Sequence, residues 1–357
     1  MSEGSAEAVA RARAALLAWY AAHPRPVPWR GSADPYAIWV SEVMLQQTRA
    51  ATVGPYYERW LTAFPTVFAL AAADLDEVLK IWQGLGYYAR ARGLHQAARQ
   101  LVADYDGALP RTAAQWRALP GVGAYTAGAV ASIAFGERTP AVDGNVTRVL
   151  CRWAGLAGDP QSPELRGAVT ALAGHFADCP APGDVNQALM DLGATVCTPT
   201  APACLVCPLS EGCVAHATGR ERLLPETRQR ARPRLEHCFA VVARRPHDER
   251  RLVARRPTTG LLGGLWEFPL LLADPAAEAV ELAKATFGLA LCEVTLRPSF
   301  RHVFTHIDRR VTPVVGDCLD EPRADAGGYA EWRWVTQGEM AALPVSEFMR
   351  KAVRAVG

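Results

Sequence analysis

The 357-residue chain has almost no lysine: 35 of its 38 basic residues are arginine. A GC-rich coding sequence produces that bias, and bidentate phosphate contacts also favour it, so alone it decides nothing. Net charge is equally mute, because 38 basic residues face 36 acidic ones and leave +2. No apolar run approaches the ~18 residues that cross a bilayer, so no membrane partner is expected. The opening residues carry Glu3 and Glu7 and lack an apolar core with a small-residue cleavage site. They read as a helix, and the protein is expected in the cytoplasm, at the nucleoid if the source is bacterial. No internal repeat is present. A disulfide framework is also missing: of nine cysteines, four crowd between Cys197 and Cys213 and the rest are scattered, which points to a metal centre.

The length exceeds one compact core and suits two or three domains. From Ala8 to about Gly219 the chain reads as successive helices, with apolar residues at three- and four-residue spacing in 76–82, 94–105 and 164–176. Gly and Pro punctuate them. A basic stretch follows, with arginines at 220, 222, 228, 230, 232 and 234 against Glu221 and Glu226. Beyond it, 237–243, 251–255, 295–300 and 308–315 read as strands, and 276–287 and 337–343 as helices. The expected organisation is an all-α region over 1–219, a basic linker over 220–236, and an α+β domain over 237–357.

Cys197, Cys204, Cys207 and Cys213 are separated by six, two and five residues. Thiolates so close in sequence converge on one tetrahedral zinc or one iron–sulfur cubane. Leu119-Pro120-Gly121-Val122-Gly123 lies between two helical segments. Its glycines permit a left-handed turn and close backbone approach, and the following helix N-terminus presents amides to an anion. The same pattern also serves as a plain turn.

Two carboxylates stand out. On a helix over 38–49, Glu42 falls between Trp39 and Gln46 on one side and Ile38 and Leu45 on the other. It is either a solvated helix residue or a carboxyl with a desolvation-raised pKa, which a general acid needs near neutrality. Asp143 precedes a helix start. Either it only caps that helix, or the capping amides also keep it ionised and depress its pKa. A neutral and an anionic carboxyl together suit glycosidic cleavage through a cationic sugar.

The stretch Trp39-Val40-Ser41-Glu42-Val43-Met44-Leu45-Gln46-Gln47-Thr48 resembles the active-site helix of the MutY-type adenine DNA glycosylases, and 142–146 resembles their Asp-containing motif. The cysteine spacing is similar to the cluster loop of the endonuclease III and MutY glycosylases, and 119–123 to their helix-hairpin-helix turn. The resemblance covers essentially the whole chain. It implies a multidomain fold: an all-α helix-hairpin-helix glycosylase with an iron–sulfur cluster loop, plus a C-terminal Nudix-like α+β domain. Within the first part it implies a six-helix subdomain over about 33–140 and a cluster subdomain from 1–32 and 141–219.

By that resemblance Glu42 protonates adenine N7, and Asp143 stabilises the sugar cation with help from Asn145. Tyr125 stands where strand-cutting relatives carry a catalytic Lys, and is expected to position Asp143; without an amine no Schiff base forms there. Cys197, Cys204, Cys207 and Cys213 are implied to hold one 4Fe-4S cluster, a structural group that keeps a basic loop on DNA. Gly121 and Gly123 are implied to hold a phosphate. Gln47, Leu85 and Tyr87 correspond to side chains wedged into the base stack, and Trp29, Arg30 and Gln187 to the adenine pocket. Leu261-Leu262-Gly263-Gly264-Leu265-Trp266-Glu267-Phe268-Pro269 is similar to a strand entering a Nudix box, but the metal-binding glutamates are missing from 281–288. Phe300-Arg301-His302-Val303-Phe304-Thr305-His306 resembles the 8-oxoguanine recognition loop, with Thr305 and His306 as reading residues. The implied partner is double-stranded DNA with A:8-oxoguanine or A:G mispairs, bound by a monomer. The alternative is an endonuclease III-like glycosylase/lyase for oxidised pyrimidines, against which Tyr125 and the second domain argue.

Overall fold

The computed structural model describes residues 3–226, 232–273, 279–324 and 326–357. Arg228 and Arg230 of the expected linker, and 276–278 of the expected helix, lie outside these residues. Packing divides the chain into two compact units, Met1–Ala72 with Gly93–Gln229, and Ala73–Arg92 with Arg230–Gly357.

The first half of the chain is helical: α1 Glu3–Ala22, α2 Pro35–Leu45, α3 Ala50–Ala63, α4 Val67–Ala72, α5 Leu75–Trp82 and α6 Ala89–Tyr105. There follow α7 Ala113–Trp116, α8 Ala124–Phe135, α9 Gly144–Ala154, α10 Pro163–Ala177, α11 Pro182–Thr195 and α12 Val214–Ala217. Local sequence sets their starts. Asp34 accepts the Tyr36 amide with Pro35 in the first turn of α2, and Ser162 accepts the Leu165 amide with Pro163 in the first turn of α10. Thr112 and Gln115 form a reciprocal capping box on α7.

Helix α2 is buried on every side from Tyr36 to Met44, and it packs on α8, buried from Thr126 to Ser132. A helix without a solvent face is a core element. A second core gathers α1, α9, α10 and α11 around Leu16, Leu150, Val169, Phe176 and Leu189, and Cys197, Cys207 and Cys213 pack against it. Helix α2 ends at Leu45, short of the expected Arg49. Gln47 takes a left-handed φ of 56°, which an α-helix cannot accommodate.

The C-terminal unit is built on one mixed sheet. Its strands are β1 Arg234–Arg244, β2 Arg251–Arg255, β3 Trp266–Glu267, β4 Leu270–Leu272, β5 Cys292–Leu296, β6 Phe300–Val303, β7 Ile307–Asp317 and β8 Glu331–Val335. The path runs β3-β2-β1-β7-β5, with β4 on β1, β6 on β7 and β8 on β2. The central pair β1 and β7 is parallel, from Arg234 opposite Ile307 to Arg244 opposite Asp317. Alternate residues of β1 feed two cores: Cys238, Ala240 and Val242 face one, and Phe239, Val241 and Ala243 the other. Helix α13 (Ala279–Phe287) covers the second core, while α14 (Gln337–Ala342) and α15 (Glu347–Val356) cover the first. Burial on both faces is why β1 reads as a continuous apolar run.

Three expectations needed revision here. The run 295–300 straddles two strands, because Pro298 separates β5 from β6. Most of 261–265 is turn, and only Trp266 and Glu267 pair as a strand. Helix α15 was not anticipated, although Phe348, Met349 and Ala352 form its buried face.

Gly121 has a φ of 73°, and a Cβ there would lie 3.0 Å from the Gly93 Cα. Gly121→Ala should therefore destabilise this unit by about 1–3 kcal/mol, read as a lower thermal midpoint. An unchanged midpoint would mean that the Gly93–Gly121 approach is not fixed.

Candidate active site and metal centre

Because α2 has no wet face, Glu42 is carried into the core and is only 5 % exposed, beside the fully buried Trp39. Burial lifts its carboxyl from the usual 4.5 to about 7. The Tyr125 hydroxyl opposes this by donating to Glu42 Oε2 at 2.6 Å, whereas the nearby charge of Asp143 adds to the rise. The solvated-helix alternative for Glu42 is thereby removed.

Asp143 caps α9: its Oδ1 accepts the Val146 amide at 2.8 Å and its Oδ2 accepts Asn145 Nδ2 at 2.9 Å. The expected depression of its pKa is not found. Burial pushes the group up, and its hydrogen bonds from Val146 and Asn145 only partly offset this. Tyr125 also differs from expectation. Its hydroxyl holds Glu42, with Met190 Sδ at 3.4 Å, and Asn145 rather than Tyr125 orients Asp143.

A second polar network flanks Glu42. Arg30 donates to Gln187 Oε1, Tyr20 and Asp191, and Arg25 donates to the other oxygen of Asp191. Trp29 is buried and stacks edge-on with Tyr57 at 5.7 Å. Arg30 and Asp191 both act electrostatically on Glu42, so this network belongs to the same site. Tyr20, Arg25, Met190 and Asp191 were missed from sequence. Gln187, Met190 and Asp191 share a face of α11 at three- and four-residue spacing, which was the available signal.

The turn before α8 presents a free surface. Gly123 caps that helix, both Gly121 and Gly123 are exposed, and nothing lies within 4 Å of a Cβ built at Gly123. The first-turn amides of α8 have no intrahelical acceptor and point out of this opening, a geometry suited to an anion. Gln47 is exposed nearby in sequence to Gln46, whose Nε2 donates to Thr126 on α8 at 2.8 Å.

The four clustered cysteines are free and line one cavity, together with Arg152, His216 and Glu221. Burial pushes the Cys207 thiol up to about 11 and raises Cys204 and Cys213 as well; mutual repulsion adds to it. Four thiolates there need a cationic centre to be stable, so the residues fit an iron–sulfur cluster or another thiolate-bound metal. Arg152 is 3 % exposed and secures the loop, donating to Cys197 Sγ and to the carbonyls of Thr198, Pro199 and Leu224. Arg148 bridges the two centres by donating to Asn145 Oδ1 at 2.8 Å and to the Cys197 carbonyl at 2.8 Å.

In the C-terminal unit, the Tyr87 and Thr305 hydroxyls share a hydrogen bond of 3.3 Å. Thr305 and His306 are exposed in the turn between β6 and β7. Tyr87 is 49 % exposed with a φ of 46°, whereas Leu85 is 6 % exposed and offers little surface to a base stack. All three lysines of the chain, Lys80, Lys284 and Lys351, belong to this unit, and none to the one holding Glu42 and Asp143.

Comparison with known proteins gives a consistent result. The family model described as HhH-GPD superfamily base excision DNA repair protein matches residues 40–172, and the NUDIX domain model matches 240–355. A human protein named adenine DNA glycosylase is 38 % identical over 96 % of this chain and 73 % of its own length. One of the same name from Arabidopsis thaliana is 35 % identical over 95 % of this chain and 63 % of its own length. Among solved structures, a thermostable thymine-DNA glycosylase aligns with a TM-score of 0.55 and 28 % identity, over 60 % of this chain and all of that one. Among the described residues, no helix is long and apolar enough to cross a membrane.

Because folding lifts the Glu42 carboxyl from 4.5 to about 7, the folded chain keeps a proton that the unfolded chain releases. Stability from this group is therefore complete below pH 4.5 and lost as pH rises to 7, by roughly 3 kcal/mol. Glu42→Gln should raise the thermal midpoint above pH 7 and change it little near pH 4.5. A variant with no stability gain at pH 8 would contradict the burial argument.

Proposed function

Since the chain belongs to the family of adenine DNA glycosylases, enzymes that hydrolyse N-glycosyl bonds in base-excision repair, we propose that it removes adenine paired with 8-oxoguanine, or with guanine, and leaves the strand uncut. The observation that carries this is the pairing of a buried Glu42, half protonated near neutrality, with an Asp143 whose two oxygens accept donors.

A base inside a duplex cannot reach Glu42, so the adenine is flipped into the pocket of Trp29, Arg30 and Gln187. Glu42 donates its proton to adenine N7. The electron pair of the glycosidic bond then leaves with the base, and the sugar becomes a cation that Asp143 stabilises, with Asn145 holding the carboxylate in place. Water adds to the sugar carbon and returns a proton to a carboxylate. Tyr125 acts on Glu42, and its phenol offers no amine for a Schiff base. The absence of lysine from that unit favours the same conclusion.

Gly121 and Gly123 hold a phosphate of the duplex, which positions it without reading sequence. Gln47 and Tyr87 are the wedge residues, an assignment supported by exposure and left-handed backbone at both. Leu85, the third residue of the resemblance, is buried at 6 % exposure and would have to emerge to enter a base stack. Thr305 and His306 read 8-oxoguanine, and the Tyr87–Thr305 hydrogen bond favours joint action of wedge and reader. The Nudix-like unit is a recognition module, not a hydrolase. Cys197, Cys204, Cys207 and Cys213 would hold one 4Fe-4S cluster, whose ligation would fasten the loop, and the enzyme works as a monomer.

The central test is single-turnover release of adenine from an A:8-oxoguanine duplex, with and without alkali. Release without alkali-independent cleavage is expected, and efficient borohydride trapping would refute the uncut-strand reading. Glu42→Gln and Asp143→Asn should abolish release while DNA binding survives, because phosphate contacts supply most affinity. Wild-type activity should also decline as pH rises above about 7, where Glu42 loses its proton.

Lesion discrimination is best tested in the full chain, since residues 73–92 pack with the C-terminal unit and a truncation would strip them of support. Replacing both Thr305 and His306 with Ala should reduce the preference for 8-oxoguanine over guanine by roughly tenfold, the worth of one hydrogen bond lost in a dry interface. An unchanged ratio would remove these residues from lesion reading.

A further inference from the structure

The cysteine cavity contains two polar groups that the four-thiolate set does not use. A ring nitrogen of His216, a carboxylate oxygen of Glu221 and Cys204 Sγ all lie within 4.8 Å of one another. His216 follows Cys213 on the short α12, and Glu221 lies in the turn beyond it. Both side chains line the cavity from the Cys204 side. His216 Nδ1 and Glu221 Oε2 are buried atoms without hydrogen-bond partners, and His216 Nδ1 stands 3.8 Å from Glu221 Oε1. Buried polar atoms in native proteins have partners, so orphaned ones lining the thiol cavity point to a group that the cavity takes up.

We propose that His216 donates a hydrogen bond to the Cys204 thiolate and, opposed by the nearby Glu221 carboxylate, sets the reduction potential of the cluster. The inference rests on the cluster reading above. An N–H donor withdraws charge from a ligating sulfur and stabilises the reduced state, raising the potential. A carboxylate nearby adds negative charge and lowers it. The two side chains therefore act in opposite directions, and that opposition separates tuning from simple loosening of the loop.

The experiment measures iron content, visible absorbance and electrode potential of the intact protein and three variants. His216→Phe keeps ring volume and removes the donor, and should lower the potential. His216→Gln restores an N–H and should recover most of the loss. Glu221→Gln should raise it. Each full shift corresponds to a roughly two- to tenfold change in the oxidised-to-reduced ratio at a fixed potential, the worth of one hydrogen bond. Wild-type protein without iron overturns the cluster reading and the inference with it. A full cluster whose potential is unmoved, or moves the same way in His216→Phe and Glu221→Gln, overturns the inference alone. Stoichiometric zinc that is lost with His216→Phe would instead make Cys204, His216 and Glu221 a mononuclear site.

Discussion

Taking the Glu42 carboxyl out of water is the constraint on which the rest of the catalytic unit depends. An ionised carboxylate in a dry core is costly, so the chain shifts the group toward its neutral form and gives it one donor, the Tyr125 hydroxyl. That arrangement needs α2 buried on every face and α8 closely packed beside it, so that Tyr125 meets Glu42 from the next helix. A carboxyl buried in this way costs the fold stability above neutral pH, a cost of the kind met where stability and function compete.

The second carboxylate is held differently. Asp143 sits at a helix end, where amides are already seeking acceptors, and Asn145 occupies its other oxygen. Arg148 then ties Asn145 to the Cys197 carbonyl, and the buried Arg152 ties the start of the cysteine loop to the same helix. The cysteine loop and Asp143 thus share α9 as a common support. A metal held by the loop would, through α9, also restrain Asp143.

The C-terminal unit is organised around its central strand pair. Its parallel pair β1 and β7 is covered on both faces, and the turn leading from β6 into β7 presents Thr305 and His306. By taking in residues 73–92 it also carries Tyr87, so one packed body presents both Tyr87 and the loop of Thr305 and His306. The left-handed backbone at Gln47 and Tyr87 is uncommon for such side chains, and strain of that kind gathers at sites with a task.

What the sequence determined was whatever depends on local order. Cap residues and the glycines of the hairpin act over a few residues, and α8 and α9 follow from them, while the strand Arg251–Arg255 follows from its short apolar run. Glu42, Asp143 and the cysteines could be singled out for the same reason, since each lies in a short motif. Only the tertiary structure decided which groups meet. Tyr125 could not be assigned to Glu42 from spacing, because 83 residues separate them. The rise in the Asp143 pKa was hidden too, because capping hydrogen bonds are local while burial is collective. Asp191 and its two arginines were invisible in the chain: a buried carboxylate finds its partners from distant segments, and their proximity is set by core packing, not by sequence neighbours.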